Sequence, residues 1–264
     1  MKKEQLLKFY EQGYRDFTGV NLDGVDLSGV MLIAVNLTEA SLVGANLSRS
    51  FLTKSNLSQA NLNRANFNFA KMSEINLQRA DLTKANLEGA FMVKSQLWRA
   101  KLSGANLSHT NLRSANLTEA NVCAAKLKKV NLRQANLNGT NLNWSNLQEA
   151  RLTQAQLQNV SGIGANLSQA FLIDVDCSSA DFSGVDFSGA RLTRANLRDA
   201  DLSDANLHGA LLNRTILNNA KLTRANLNNT VLEADDLKVS QLFCSIQTAS
   251  HQSARQIQIA SALI

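Results

Sequence analysis

The chain has 264 residues, 44% hydrophobic and 18% charged, and 27 Lys and Arg against 21 Asp and Glu leave a net charge of +6. No stretch approaches the roughly 18 consecutive apolar residues of a membrane span, and 5% aromatic content argues against a core of Phe, Tyr and Trp. The mild basic balance permits acidic partners without demanding them, and Cys123, Cys177 and Cys244 are too few and too far apart for a disulfide framework or a paired metal knuckle.

The first residues, MKKEQLLKFYEQGYRDF, lack the apolar run of a signal peptide, so a cytoplasmic protein is expected. Residues 2–13 place Leu6, Phe9 and Tyr10 at helical spacing, with Gly13 where a helix would end. The pattern predicts a short amphipathic helix within residues 1–14 that covers the end of whatever follows.

From Phe17 to Leu237 a large apolar residue, almost always Leu, falls at every position ending in 2 or 7 except Gly162 and Cys177. A period of five fits neither a helix nor a strand. Two residues before each of these centres sits a small residue, mostly Ala, and the position between them is usually Asn or Asp. In an extended segment the centre and the small residue point to one side and the intervening residue to the other. Eleven of the 13 glycines sit two after a centre, where a turn favours positive φ. Each five-residue unit therefore reads as a very short strand plus a corner, and repetition winds such units into a solenoid.

The position before the centre is apolar only at Met31, Phe51, Phe91, Phe171, Leu211, Ile216 and Val231. All but Ile216 differ by multiples of 20, which predicts four units per coil and a square cross-section. Gly162 interrupts the series of large centres. It should leave a void unless Ile163 swings in through a bulge, so a kink or distorted corner is expected there. Beyond residue 237 the repeat is lost, and Leu242, Phe243, Ile246, Ile257, Ile259 and Leu263 are enough for a C-terminal cap or tail over 238–264.

Units such as Ala60-Asn61-Leu62-Asn63-Arg64 and Ala195-Asn196-Leu197-Arg198-Asp199 resemble the pentapeptide-repeat family, A(D/N)LXX, over about nine-tenths of the chain. The resemblance implies an all-β solenoid, a right-handed quadrilateral parallel β-helix. Its expected layout is a capping helix at 1–14, β-helix at 15–237 and cap or tail at 238–264. Some members mimic DNA with an acidic surface and bind DNA gyrase; the positive net charge of this chain departs from that pattern.

Residues for catalysis are not brought together by this repeat. His109 and His208 lie about five coils apart, near 24 Å at the inter-strand spacing, and Cys123 and Cys177 about 13 Å apart. No phosphate loop, HExxH or GxSxG occurs. Asp199 and Asp201 could pair as acid and base, but a solenoid wall offers no cleft to desolvate them. Cys177 occupies a centre and reads as a buried small hydrophobe. The expectation is no enzyme, no cofactor and no metal.

Two surface features remain. Met31, Phe51, Phe91, Phe171, Leu211 and Val231, joined by Ile33, Val93 and Ile173, form an apolar wall that reads as the candidate interaction surface, with Lys54, Lys94, Arg194 and Arg214 as a basic rim. Charge also clusters at Lys126, Lys128, Lys129 and Arg133 and at Asp174, Asp176, Asp181 and Asp186, each read as a solvated face. The expected function is that of a protein-protein interaction or scaffold module, with a regulatory role drawn from the resemblance. Its partner is an unknown protein or a second copy in a homodimer. A DNA-mimicking topoisomerase-binding protein and a nucleic-acid-binding module are the alternatives; nucleic acid is not the expected partner.

Overall fold

The computed structural model describes residues 1–233 and 258–260. Asp16 pairs with Asn36, Asn21 with Ser41, Asp26 with Asn46 and Met31 with Phe51, all parallel, and the same step of 20 repeats up to Leu211 and Val231. One coil is therefore 20 residues with one paired rung on each of four sides. The walls are numbered here by those starting residues: first (Asp16), second (Asn21), third (Asp26) and fourth (Met31).

The backbone hydrogen bonds explain the period of five. In the unit centred on Leu57, the Leu57 amide donates to Asn76 O one coil on (2.7 Å), as does Gln59 to Gln78 O (2.9 Å). Asn56 donates back to Val35 O (2.8 Å), and Ala60 donates to Leu57 O (3.2 Å) to close the corner. That last bond spans three residues with φ of +60° at Gln59, the pattern of a type II turn. Every position two after a centre, from Gly19 to Asn229, has positive φ, including Lys54, Glu119 and Trp144. Left-handed backbone disfavours L side chains, so the inter-coil bonds impose it on whatever residue stands there.

The centres fill the axis. From Leu22 to Leu227 all are buried except the partly buried Leu217, with Phe67, Phe182 and Phe187 the largest side chains among them, and Ala at the small positions closes the walls around them. Some inward hydroxyls bond carbonyls of the coil before, Ser55 Oγ donating to Leu32 O (2.8 Å) and Thr110 Oγ1 to Leu87 O (2.7 Å), whereas Ser50 Oγ donates to Leu47 O three residues back (2.7 Å). Ser95 Oγ is buried without a partner.

The expected kink at Gly162 does not occur. Gly162 keeps its rung, with its amide on Asp181 O (2.7 Å) and its carbonyl accepting from Ala165 (3.1 Å). The missing volume is supplied from the next coil, not by Ile163: a Cβ on Gly162 would stand 2.6 Å from the Phe182 ring. That ring packs edge-on against Phe187, with centroids 5.2 Å apart.

The helix α1, Lys3–Glu11, lies over the first coil with Leu6 fully buried and Leu7, Phe9 and Tyr10 packed against the core. Gly13 follows it at φ +94°, its amide on Tyr10 O (3.0 Å). Arg15 clamps this end, donating to Tyr10 O (2.8 Å) and Tyr14 O (2.9 Å) with its guanidinium 3.9 Å over the Tyr10 ring. At the other end β1, Val231–Glu233, pairs in parallel with β2, Gln258–Ala260, in the register Val231↔Gln258. The fourth wall thus gains a further rung from a strand 27 residues on, where each earlier rung came 20 on. The remainder of the expected cap or tail over 238–264 lies outside the described residues.

Candidate functional site

The third wall shows what an ordinary wall does with its outward residues. Asn46, Asn66 and Asn86 each accept the amide two residues on, at Ser48 (3.2 Å), Asn68 (3.1 Å) and Glu88 (3.2 Å). Each also donates down the wall: Asn46 to Asp26 (2.9 Å), Asn66 to Asn46 (3.1 Å), Asn86 to Asn66 (3.3 Å) and Asn106 to Asn86 (3.3 Å). Corner bonds and ladders are thus made by the same Asn side chains. The ladder stops at Lys126 and resumes from Asp186 through Asn206 to Asn226.

The fourth wall is built differently. Its outward column reads Met31, Phe51, Lys71, Phe91, Asn111, Asn131, Arg151, Phe171, Arg191, Leu211, Val231, each paired with the next. Met31, Ile33, Phe51 and Phe91 are exposed, whereas Val93, Phe171, Ile173, Leu211 and Val231 are half-buried. The structure therefore brings all nine candidate residues to one side. Two rings carry cations: Lys71 Nζ lies 5.8 Å from the Phe91 centroid and Arg191 Cζ 5.0 Å from that of Phe171.

With Asn gone from most of this column, the amides two residues on lose their usual acceptor. Asn111 still serves Arg113 (3.2 Å) and Asn131 serves Arg133 (3.4 Å). In the first coil Tyr10 Oη stands in, accepting from Ile33 N (3.2 Å) and donating to Ile33 O (3.5 Å). The amides of Thr53, Ser73, Val93, Thr153, Ile173 and Thr193 have no acceptor among the described residues.

The basic rim is only partly available. Arg194 is bonded twice to Asp174, Nε to Oδ1 (2.5 Å) and Nη2 to Oδ2 (2.7 Å), and those bonds hold the Asp174 carboxyl below its ordinary value of 3.8. Lys54 and Lys94 carry no ion pair among the described residues. The Lys126–Arg133 cluster divides between walls: Lys128 and Lys129 meet Glu149 at the corner between third and fourth walls (3.9 and 3.4 Å), and Arg133 lies on the fourth. At that corner a groove of about 540 Å³ runs between Lys129, Glu149 and His109 on one side and Asn111, Asn131, Arg151 and Phe171 on the other.

Elsewhere the residues do not converge. Burial pushes the Cys177 thiol far above its ordinary range, which suits a core residue and no nucleophile. No group of His, Cys, Asp or Glu among the described residues has the arrangement of a metal site. No outward column holds carboxylates in more than two successive coils (Asp181 and Asp201), so the described residues show no continuous acidic stripe of the kind DNA mimicry needs. No described helix is long and apolar enough to cross a membrane.

A four-sided coil of five-residue units, closed at one end by a helix and carrying its distinctive chemistry on a flat wall, defines a repeat solenoid. The chain belongs to the pentapeptide repeat family: the family's sequence model matches in eight copies, over residues 16–49, 40–79, 60–99, 92–128, 125–161, 163–199 and 200–233. Among solved structures it is similar to HetL, a pentapeptide repeat protein involved in heterocyst differentiation regulation from the cyanobacterium Nostoc sp. strain PCC 7120. That likeness has 33% identity over 86% of this chain and 97% of HetL, with a TM-score of 0.54. Also similar are QnrB1, a plasmid-mediated fluoroquinolone resistance protein (16% identity, 88% of this chain and 98% of that one, TM-score 0.46), and a thylakoid-lumen pentapeptide repeat protein of Arabidopsis thaliana (26% identity, 43% and 69%, TM-score 0.20). The comparison with curated protein sequences gave no match.

Proposed function

We propose that this protein is a non-enzymatic interaction module, a right-handed square rod working in the cytoplasm, that presents its fourth wall to another protein chain. One observation carries the reading. The fold accepts Asn at nearly every outward position and gains two kinds of hydrogen bond from it, yet one wall gives up that bonding for Met31, Phe51, Phe91, Phe171, Leu211 and Val231. Losing such bonds costs about 1 kcal/mol each, and exposed apolar side chains in a line mark an interface. HetL is involved in the regulation of a differentiation programme, which suits a regulatory role for a module of this shape.

Molar mass by light scattering on wild type and on Phe91→Asp/Phe171→Asp tests the reading. A dimer that becomes a folded monomer assigns the wall to self-association. A monomer in both cases leaves it for a different protein, which is then sought by selecting a random-peptide library on wild type and counter-selecting on the variant. A dimer unaffected by the substitutions, together with no variant-sensitive peptide, refutes the reading.

A further inference from the structure

The 20-residue register sorts every charge in the coils onto a wall, each corner residue being counted with the unit it ends. Between residues 16 and 231 the fourth wall holds nine of the 21 Lys and Arg and only two of the 16 carboxylates, Glu74 and Asp174. Its net charge is +7, while the other three walls together sum to −2. The positive balance of the coils is thus confined to the wall that also carries the apolar residues.

Three arginines lie at the middle of that wall. Arg113 and Arg133 are neighbours one coil apart, with Ser114 N on Arg133 O (2.9 Å), and Arg151 is on the next rung, its carbonyl accepting from Leu132 N (2.8 Å). All three are exposed, and none makes an ion pair among the described residues. They fall between Phe91 and Phe171. The six amides without an acceptor border them along the same wall, at Thr53, Ser73 and Val93 before and Thr153, Ile173 and Thr193 after. On Asn-bearing units the outward side chain takes that amide, so it is directed at the outer face.

We propose that the fourth wall receives an extended acidic segment of a protein partner. Its carboxylates pair with Arg113, Arg133 and Arg151, its acceptor oxygens take the free amides, and its apolar side chains pack at Phe91 and Phe171. This rests on reading the wall as a protein interface. Charge-assisted bonds to Arg and to backbone N–H share one requirement, a partner rich in anionic oxygen. A single-stranded nucleic acid has such oxygens too, but it needs open ring faces on which to stack its bases. Here Lys71 lies over one face of Phe91 and Arg191 over one face of Phe171, which leaves less of each ring for a base to stack on than for an aliphatic side chain to touch.

The geometry sets the spacing of the segment. Phe91 and Phe171 are four coils apart, about 19 Å at the inter-strand distance, which an extended chain covers in about six residues. Apolar residues at i and i+6 with acids at i+2 and i+4 then share one face. The probe is fluorescein-labelled Leu-Ser-Glu-Ser-Glu-Ser-Leu. The control, Leu-Glu-Ser-Ser-Ser-Glu-Leu, has the same composition with its acids on the opposite face.

Binding is read by fluorescence anisotropy on wild type, on Arg113→Glu/Arg133→Glu/Arg151→Glu, and on the second-wall reversal Arg64→Glu/Lys84→Glu/Lys101→Glu, which changes net charge equally. The expected result is binding of the probe in preference to the control, about tenfold weaker in the fourth-wall reversal and within about twofold of wild type in the second-wall one. Equal weakening by both reversals, equal binding of the two peptides, or no binding of the probe by wild type overturns the proposal. So does tighter, fourth-wall-dependent binding of a heptameric oligothymidylate. Probe binding lost in Phe91→Asp/Phe171→Asp but kept in the arginine reversal overturns the acidic partner while leaving the wall an interface.

Discussion

The third and fourth walls share one backbone and one core, and they spend their outward residues in opposite ways. On the third wall ten of the eleven units, from Ser28 to Asn228, have the corner amide taken by the Asn or Asp two residues before it, Lys128 being the exception. On the fourth wall only Asn111 and Asn131 do this. Its own side chains take most of the third wall's corner amides; the fourth is left with apolar groups, cations and donors that no described residue absorbs.

The comparison is meaningful only if both walls hang on the same core, and the largest effect tests that. Gly162→Leu restores the usual centre yet collides with the Phe182 ring, so it should lower unfolding free energy in urea by about 3 kcal/mol. Gly162→Leu/Phe182→Leu should recover most of that loss. Equal destabilisation by single and double variants would mean that the coil does not adjust by exchange of volume between neighbours.

Next in size, Asn66→Ala/Asn86→Ala removes two corner bonds and breaks the third-wall ladder, and should cost about 2 kcal/mol by the same measurement. The matching change on the fourth wall runs the other way. Phe91→Asn gives Val93 N its missing acceptor, and should leave stability unchanged or raise it by about 1 kcal/mol while weakening binding of the acidic probe. A loss of stability comparable to that of the third-wall pair would make the apolar wall a structural feature instead of an interface.

Acid tests the carboxylates that bridge coils. Bonds from Arg194 to Asp174 and from Arg224 to Asp204 (2.6 and 2.5 Å) depress both carboxyls below 3.8. A depressed folded value means that the contribution is full above the unfolded value and disappears as pH falls through the folded one. Melting temperature of wild type should therefore drop below about pH 4, and Asp174→Asn/Asp204→Asn should be lower at pH 7 and lose less on acidification; parallel curves would contradict this. The smallest effect is Ser95→Ala, which deletes a buried hydroxyl without a partner and should raise stability by up to about 1 kcal/mol, whereas Ser55→Ala should lower it by a similar amount.

Much of the site was legible in the residue pattern. Sorting the apolar outward residues by their spacing placed Met31, Phe51, Phe91 and Phe171 on one wall, and the bridges put them there. Arg113 and Arg151 were missed, and Arg133 was read only as part of a solvated cluster, although the signal was present: the same sorting by twenties, applied to the charges, isolates the basic excess. The donors left without acceptors carry a partial signal, the absence of Asn or Asp two residues before, because a side chain one coil away can serve instead, as Asp23 serves Val43 N (2.8 Å). The occupied ring faces have none, because they depend on which cation stands one coil away.

By itself the sequence determined the repeat, the inward and outward sides, the coil length and the N-terminal helix. These follow from local alternation and spacing, which each unit of five states again. The tertiary structure decided who fills the gap at Gly162, how Tyr10 completes Ile33 and which amides find no acceptor among the described residues. The volume missing at Gly162 comes from the rung twenty residues on and the acceptor for Ile33 from a helix 23 residues back, and only the stacked coil brings such residues together.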